Sequence, residues 1–156
     1  MKVASITQTK NESHLLSHWM DIVGSLVDHM IIFDDNSEDN SIRVIKSHPY
    51  FHKVHLIQRH NIVREEGMMF KICKTYAEHL GCDRLYISDV DEVPSMRGFE
   101  NFKKLLREEK SPVRLHRMEL ALDQNTCYYD PKGTGKLVMV QTADCDFTGG
   151  FLHSSQ

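Results

Sequence analysis

Apolar residues recur with two different periods along this chain. Short apolar runs of strand length alternate with longer stretches whose apolar positions return every three to four residues. Residues 2–7 read as a first strand, with Val3, Ala4 and Ile6 set among Ser and Thr. Leu15, Leu16, Trp19, Ile22, Val23 and Leu26 then give one face of a helix that runs to about Gly24. Asn11 or Ser13 is positioned to cap it. Residues 29–33 form a second apolar run. A short helix follows through Val44 and Ile45, capped by Asn40 or Ser41 and closed by Pro49. Residues 53–58 predict a third strand. Residues 65–80 predict a helix whose buried stripe is Met69, Ile72, Cys73, Tyr76 and Leu80, ended by Gly81. Met68 and Met69 read as core packing.

Residues 85–88 form a fourth apolar run. Phe99, Phe102, Leu105 and Leu106 mark a further helix, and residues 113–122 and 137–141 two more strands. A polar connection with Pro131, Gly133 and Gly135 lies between those strands, so they read as a hairpin with a long loop. The β-α-β-α-β-α-β order predicts an α/β fold: a mostly parallel sheet, helices on both faces, right-handed crossovers and a short β-rich C-terminal part.

Two of the strand ends are acidic. The second apolar run ends in Asp34-Asp35-Asn36-Ser37-Glu38-Asp39, the fourth in Ser88-Asp89-Val90-Asp91-Glu92-Val93-Pro94. Carboxylates are costly to bury unless donors or a cation meet them. Open α/β sheets collect ligands at the carboxyl ends of their strands. Three carboxylates at one such end fit a hard divalent ion bound through oxygen and shared with a phosphate. Neither GxGxxG nor GxxxxGK[ST] occurs, so the phosphate would be held by metal and side chains.

Composition narrows the choice. With 156 residues, 40% hydrophobic and 26% charged, the chain has an ordinary globular balance and length for one domain. A net charge of -3 gives no sign of a nucleic-acid binder. No apolar run reaches the ~20 residues of a membrane span, and residues 1–8 read as too polar and too short for a signal peptide's apolar region. Cys73, Cys82, Cys127 and Cys145 show no CxxC pair, which reads as reduced thiols in a cytoplasmic protein. His14 and His18 lie four apart without the rest of a zinc motif.

Lys10-Asn11-Glu12, Phe33-Asp34-Asp35-Asn36-Ser37-Glu38-Asp39 and Ile87-Ser88-Asp89-Val90-Asp91-Glu92 together resemble a glycosyltransferase of the Rossmann-like A-type fold, nearest to the family-2-like enzymes. Asp-Val-Asp-Glu-Val-Pro also resembles the motif of the glycosyltransferases that add N-acetylglucosamine to the N-glycan core. The resemblance covers about residues 1–95 and implies a nucleotide-binding half there, with a short acceptor-side half over 96–156. It implies transfer of a hexosyl or N-acetylhexosaminyl group from a nucleotide-diphosphate sugar to an acceptor hydroxyl, with Mn²⁺ or Mg²⁺ as cofactor. Gln8, Thr9, Asp34 and Asp35 would lie near the base and Asp89 near the ribose. Asp91, with Asp89, would hold the metal. His153 is a candidate late metal ligand. Arg64 and Lys71 are candidates to neutralise phosphate. Asp146, and next to it Asp144, is the candidate base for an inverting reaction.

Two alternatives come from other classes. Asp89-Val90-Asp91 also fits a haloacid-dehalogenase-type phosphatase, whose first Asp is a nucleophile, although three strands precede the motif here and the late Gly-Asp-x-x-x-Asp pair is missing. The short C-terminal part also admits a non-catalytic module that binds a nucleotide sugar or metal, or a site completed by a longer chain or a partner.

Overall fold

The computed structural model describes residues 1–59, 66–115, 118–120, 127–129 and 136–142. The elements alternate through the first half: β1 (Val3–Thr9), α1 (Ser13–Leu26), β2 (His29–Asp34), α2 (Ser41–Ser47), β3 (Val54–Gln58), α3 (Glu66–His79) and β4 (Arg84–Ile87). A short 3-10 segment, Pro49–Lys53, leads into β3, and another, Met96–Gly98, leads into α4 (Phe99–Glu108). β5 (Val113–Leu115), β6 (Met118–Leu120), β7 (Cys127–Tyr129) and β8 (Lys136–Gln141) follow.

Six strands form one sheet in the order β3-β2-β1-β4-β8-β5. β3, β2, β1 and β4 are parallel, and β8 runs antiparallel to both β4 and β5. The sheet is thus mostly parallel, as the alternation predicts. The expected strand over 113–122 is not continuous: β5 and β6 are separate, and the register shifts at Val113/Arg114. β5 does pair with β8, but the connection between them carries a second hairpin, β6 with β7, in place of a plain loop.

Alternating strand residues feed two apolar layers. Val3, Met30, Ile32 and Tyr86 pack with Leu16, Trp19, Met20 and Val23 of α1, Ile45 of α2, and Phe102 and Leu106 of α4. Ala4, Ile6, Ile31, Phe33, Leu85 and Ile87 pack with Met69, Phe70, Cys73 and Ala77 of α3. Each large side chain so buried contributes about 1.5–3 kcal/mol. The predicted stripe of α3 is therefore rotated. Met69 and Cys73 face the sheet, while Met68, Ile72 and Tyr76 remain 50%, 40% and 45% exposed. Burial pushes the Cys73 thiol up to about 12, so it behaves as core rather than as a nucleophile.

The helix ends differ from the expected caps. Neither Asn11 nor Ser13 caps α1 with its side chain. Asp39, from the loop after β2, accepts Ser13 N–H through Oδ2 and Ser41 N–H through Oδ1, so one carboxylate serves the first turns of α1 and α2. Hydrogen bonding by the Ser41 side chain, then by Ser41 N–H and by Ser13, holds its carboxyl well below the usual carboxylate range. Gly81, at φ +68°, ends α3 as predicted, in a left-handed conformation that a side chain would strain. At the opposite end of the sheet, Arg107 of α4 donates to both oxygens of Asp28 (2.6 and 3.3 Å) and to the Leu26 and Met1 carbonyls.

Candidate active site

The carboxyl ends of β1, β2 and β4 lie side by side, since β1 is hydrogen-bonded to both of its neighbours. Each contributes acidic or polar groups. Thr9 ends β1 and is buried. Its carbonyl accepts Asp35 N–H at 2.9 Å, and its Oγ1 donates to Glu12 Oε2 at 3.1 Å. Gln8, one residue earlier, is half-buried.

The loops after β1 and β2 are zipped together. Asn11 and Asn36 both take left-handed φ values, 57° and 58°. Asparagine is among the few side chains that adopt this conformation at modest cost. Asn11 N–H donates to Ser37 Oγ, Glu38 N–H donates to Asn11 Oδ1, and Glu12 N–H donates to Ser41 Oγ. Asp34 ends β2, only 1% exposed, and its Oδ2 accepts Ser37 N–H at 3.2 Å. Its Oδ1 is buried without a hydrogen-bond partner among the described residues. Asp35 is also buried, and Arg59, just beyond β3, stands 3.6 Å from its Oδ1.

The end of β4 is built by strict alternation. Ser88 is buried and accepts the Trp19 indole N–H at 3.2 Å. Asp89 is exposed, Val90 is buried in the α1/α4 layer, and Asp91 is exposed. Ser88 and Val90 thus pin the segment while the two aspartates stay in solvent. Glu92 closes the turn: its N–H donates to the Asp89 carbonyl, and its Oε2 accepts Asp89 N–H.

Glu12 connects the two acidic ends. Burial raises its carboxyl above the usual range. The Thr9 hydroxyl works against that rise, and the negative charges of Asp91 and Asp89 add to it. The sequence reading quoted Glu12 in its motif but gave it no role, and it missed Arg59 altogether. The signals were an acid directly before a helix and a cation directly after a strand. Lys71 is exposed on α3. Arg64, Asp144, Asp146 and His153 lie outside the described residues.

The donor set at the crevice is entirely oxygen, which suits Mg²⁺ or Mn²⁺ over a softer metal. Among the described residues no three acidic, histidine or cysteine side chains converge closely enough to enclose an ion. Asp89 and Asp91 are exposed, and Glu12 lies in their field.

No protein-family model and no curated protein matches the sequence. Solved structures do. S. aureus TarS 1-349 aligns with a TM-score of 0.65 and 16% identity, over 92% of this chain and 48% of that one. The same protein in complex with UDP-GlcNAc aligns at 0.58 and 13% identity, over 92% and 46%. 4-Diphosphocytidyl-2C-methyl-D-erythritol synthase from Anaerococcus prevotii aligns at 0.58 and 10% identity, over 91% and 70%. The chain spans about half the length of the TarS structures it matches. Identities this low establish architecture only, and the architecture is the Rossmann-like A-type glycosyltransferase fold that the sequence motifs imply.

Proposed function

We propose that this chain binds a nucleotide-diphosphate sugar with a divalent cation and transfers a hexosyl or N-acetylhexosaminyl group to an acceptor hydroxyl. The observation that carries this reading is the in-out alternation of Ser88, Asp89, Val90 and Asp91. It holds two carboxylates in solvent at the crevice where β1 and β2 end. A TarS structure that matches this fold holds UDP-GlcNAc, which supports the same class of ligand here.

Asp35, steadied by Arg59, accepts a hydrogen bond from the base. Thr9 and Gln8 line the same end of β1. The unpartnered buried oxygen of Asp34 is costly, by about 1–3 kcal/mol, until a donor meets it. A base N–H or a ribose hydroxyl supplies one. Asp89 is assigned to the ribose and the metal, Asp91 to the metal, and Glu12 stands behind both. A bound divalent cation neutralises the charge that develops on the departing diphosphate. Asp146 is assigned to take the acceptor's proton, His153 to complete the metal site, and Arg64 to the phosphates. The phosphatase alternative gains nothing from the fold, because three strands precede β4.

The test is release of nucleoside diphosphate from UDP-, GDP- and dTDP-sugars with Mn²⁺ or Mg²⁺, across a panel of alcohols and with water. Release from one donor that depends on metal and on Asp91 supports transfer. Binding without release across the panel supports the non-catalytic module. Neither binding nor release overturns the reading.

A further inference from the structure

Away from the crevice, two histidines meet across the edge of the sheet. His29 opens β2, and His55 lies in β3, paired in register with Ile31. Their side chains share one face: His55 Nε2 is 3.1 Å from His29 Nδ1, and the ring centroids are 5.2 Å apart. The Tyr76 ring of α3 lies 5.7 Å from that of His55. Among the described residues β3 is the outermost strand, paired with β2 alone. All of its residues keep partial or full exposure, whereas β1 and β2 are almost wholly buried. The strand is held by its ladder to β2, by Val54 and Leu56 packed on the α1/α2 layer, by Ile57 on the α3 layer and by this cross-strand side-chain bond. Just past its end, Arg59 donates its N–H to the Asp34 carbonyl and approaches Asp35 with its guanidinium.

We propose that the His29–His55 pair is a proton-operated latch that fastens edge strand β3 to the sheet at neutral pH and releases it in acid. Counting protons shows why. In the neutral pair one facing nitrogen donates and the other accepts. A first added proton goes to a nitrogen that faces away, and the bond survives with a charge on it. A second proton must occupy the accepting nitrogen. Two N–H donors and two positive charges then face each other at hydrogen-bond distance, and the contact cannot persist.

The surroundings oppose that second proton. Burial lowers the affinity of both rings for protons. Next for His29 comes the charge of Lys2, then the opposing charge of Asp28, then Lys53; for His55 the charge of His29 follows burial. Asp28, the one neighbouring acid, is already committed to Arg107 and to Val3 N–H. Lys53 is fixed by the Gly24 and Val27 carbonyls. Tyr76, the group contributed by α3, offers a ring and no compensating charge. A histidine with depressed affinity in the fold contributes stability that is full above its unfolded value near 6.5 and is lost as pH falls through its folded value. The latch therefore opens on the acid side of neutrality, at the strand that leads to Arg59.

Two readouts on the intact chain test this. The first is an NMR titration of imidazole nitrogens, with His29 and His55 assigned through His29→Asn and His55→Asn. The second is amide-exchange protection at pH values above and below the second titration step, corrected for intrinsic rates. The latch predicts coupled titration of the two rings below 6.5. It also predicts a selective loss of protection in residues 54–58 below the second step, with β1 and β4 unchanged, and no such selective loss in His55→Asn. Independent titration of both rings near 6.5 would overturn it. So would an equal loss of β3 protection in His55→Asn, or acid loosening spread evenly over the sheet. Through-bond assignment of the ring nitrogens on the unsubstituted chain lets its titration decide the matter even if a variant fails to fold.

Discussion

The two acidic strand ends are near neighbours in space and opposites in construction. At the end of β2, Asp34 and Asp35 are buried: the Asp34 carboxylate accepts Ser37 N–H, the Asp35 backbone N–H donates to the Thr9 carbonyl, and Arg59 stands 3.6 Å from the Asp35 carboxylate. At the end of β4, Asp89 and Asp91 are exposed, and Ser88 before them and Val90 between them carry the anchoring. The contrast separates two tasks for the same side chain. A buried carboxylate with fixed donors has one orientation and suits recognition of a directional donor such as a base N–H. An exposed carboxylate keeps its hydration and suits a cation that comes and goes with its phosphate. Glu12, placed between them, feels the charge of the second end while its own hydrogen bond belongs to the first.

Substitutions at each end should separate these tasks. Asp91→Asn should cost the most in function, about 10²–10³ in transfer rate. It should leave folding stability within about 0.5 kcal/mol, because an exposed side chain is changed. Assay and urea midpoint together check both halves. Asp34→Ala should reverse the order in stability. It strands Ser37 N–H and empties a buried position, and these losses should outweigh relief of the unpartnered Oδ1 and lower unfolding free energy by about 1 kcal/mol. The urea midpoint measures it, and a loss below that of Asp91→Asn would remove the distinction between the two ends.

Asp28 supplies a control at the far end of the sheet. Burial alone would raise its carboxyl. The Arg107 bonds and Val3 N–H outweigh that and hold it below its ordinary value. Its contribution is full above about 3.8 and is lost as pH falls through the folded value. Arg107→Ala should cost about 1–2 kcal/mol at pH 7, with a flatter acid limb in a pH series of urea melts and no change in nucleotide binding. The smallest effect is expected at Glu12. Its carboxyl is raised, so its contribution is full below its unfolded value and fades as pH rises through the folded one. Glu12→Gln should therefore be neutral or stabilising at pH 7.5, by no more than about 0.5 kcal/mol, while weakening the metal-dependent binding of nucleotide. Differential scanning calorimetry with and without Mn²⁺ resolves the two.

Much of this was legible from the chain. The periods located β1 to β4 and the helices between them, because each strand is a compact apolar run and each helix buries one face. Acidic residues at two strand ends pointed to the crevice without any structure. What escaped depended on contacts across the chain. Asp39, just before α2, also serves the first turn of α1 from 26 residues away, which no local cap rule anticipates. The face of α3 was misread because its apolar arc is wider than the sheet covers, so Ile72 and Tyr76 fit the pattern yet stay exposed. Residues 113–122 read as one strand because alternation alone does not reveal where partners change, from β8 for Val113–Leu115 to β7 for Met118–Leu120. Arg59 escaped because its role exists only once β3 lies beside β2.

The most direct test of the central claim is thermal stability with Mn²⁺ and each of UDP, GDP, CDP and dTDP, on this chain and on Asp91→Asn. A ligand bound only by the folded state stabilises by about 2.7 kcal/mol at a hundredfold excess over its Kd. The account predicts a metal-dependent shift with one nucleotide that disappears in Asp91→Asn. No shift with any nucleotide, or a shift that survives the substitution unchanged, would contradict it.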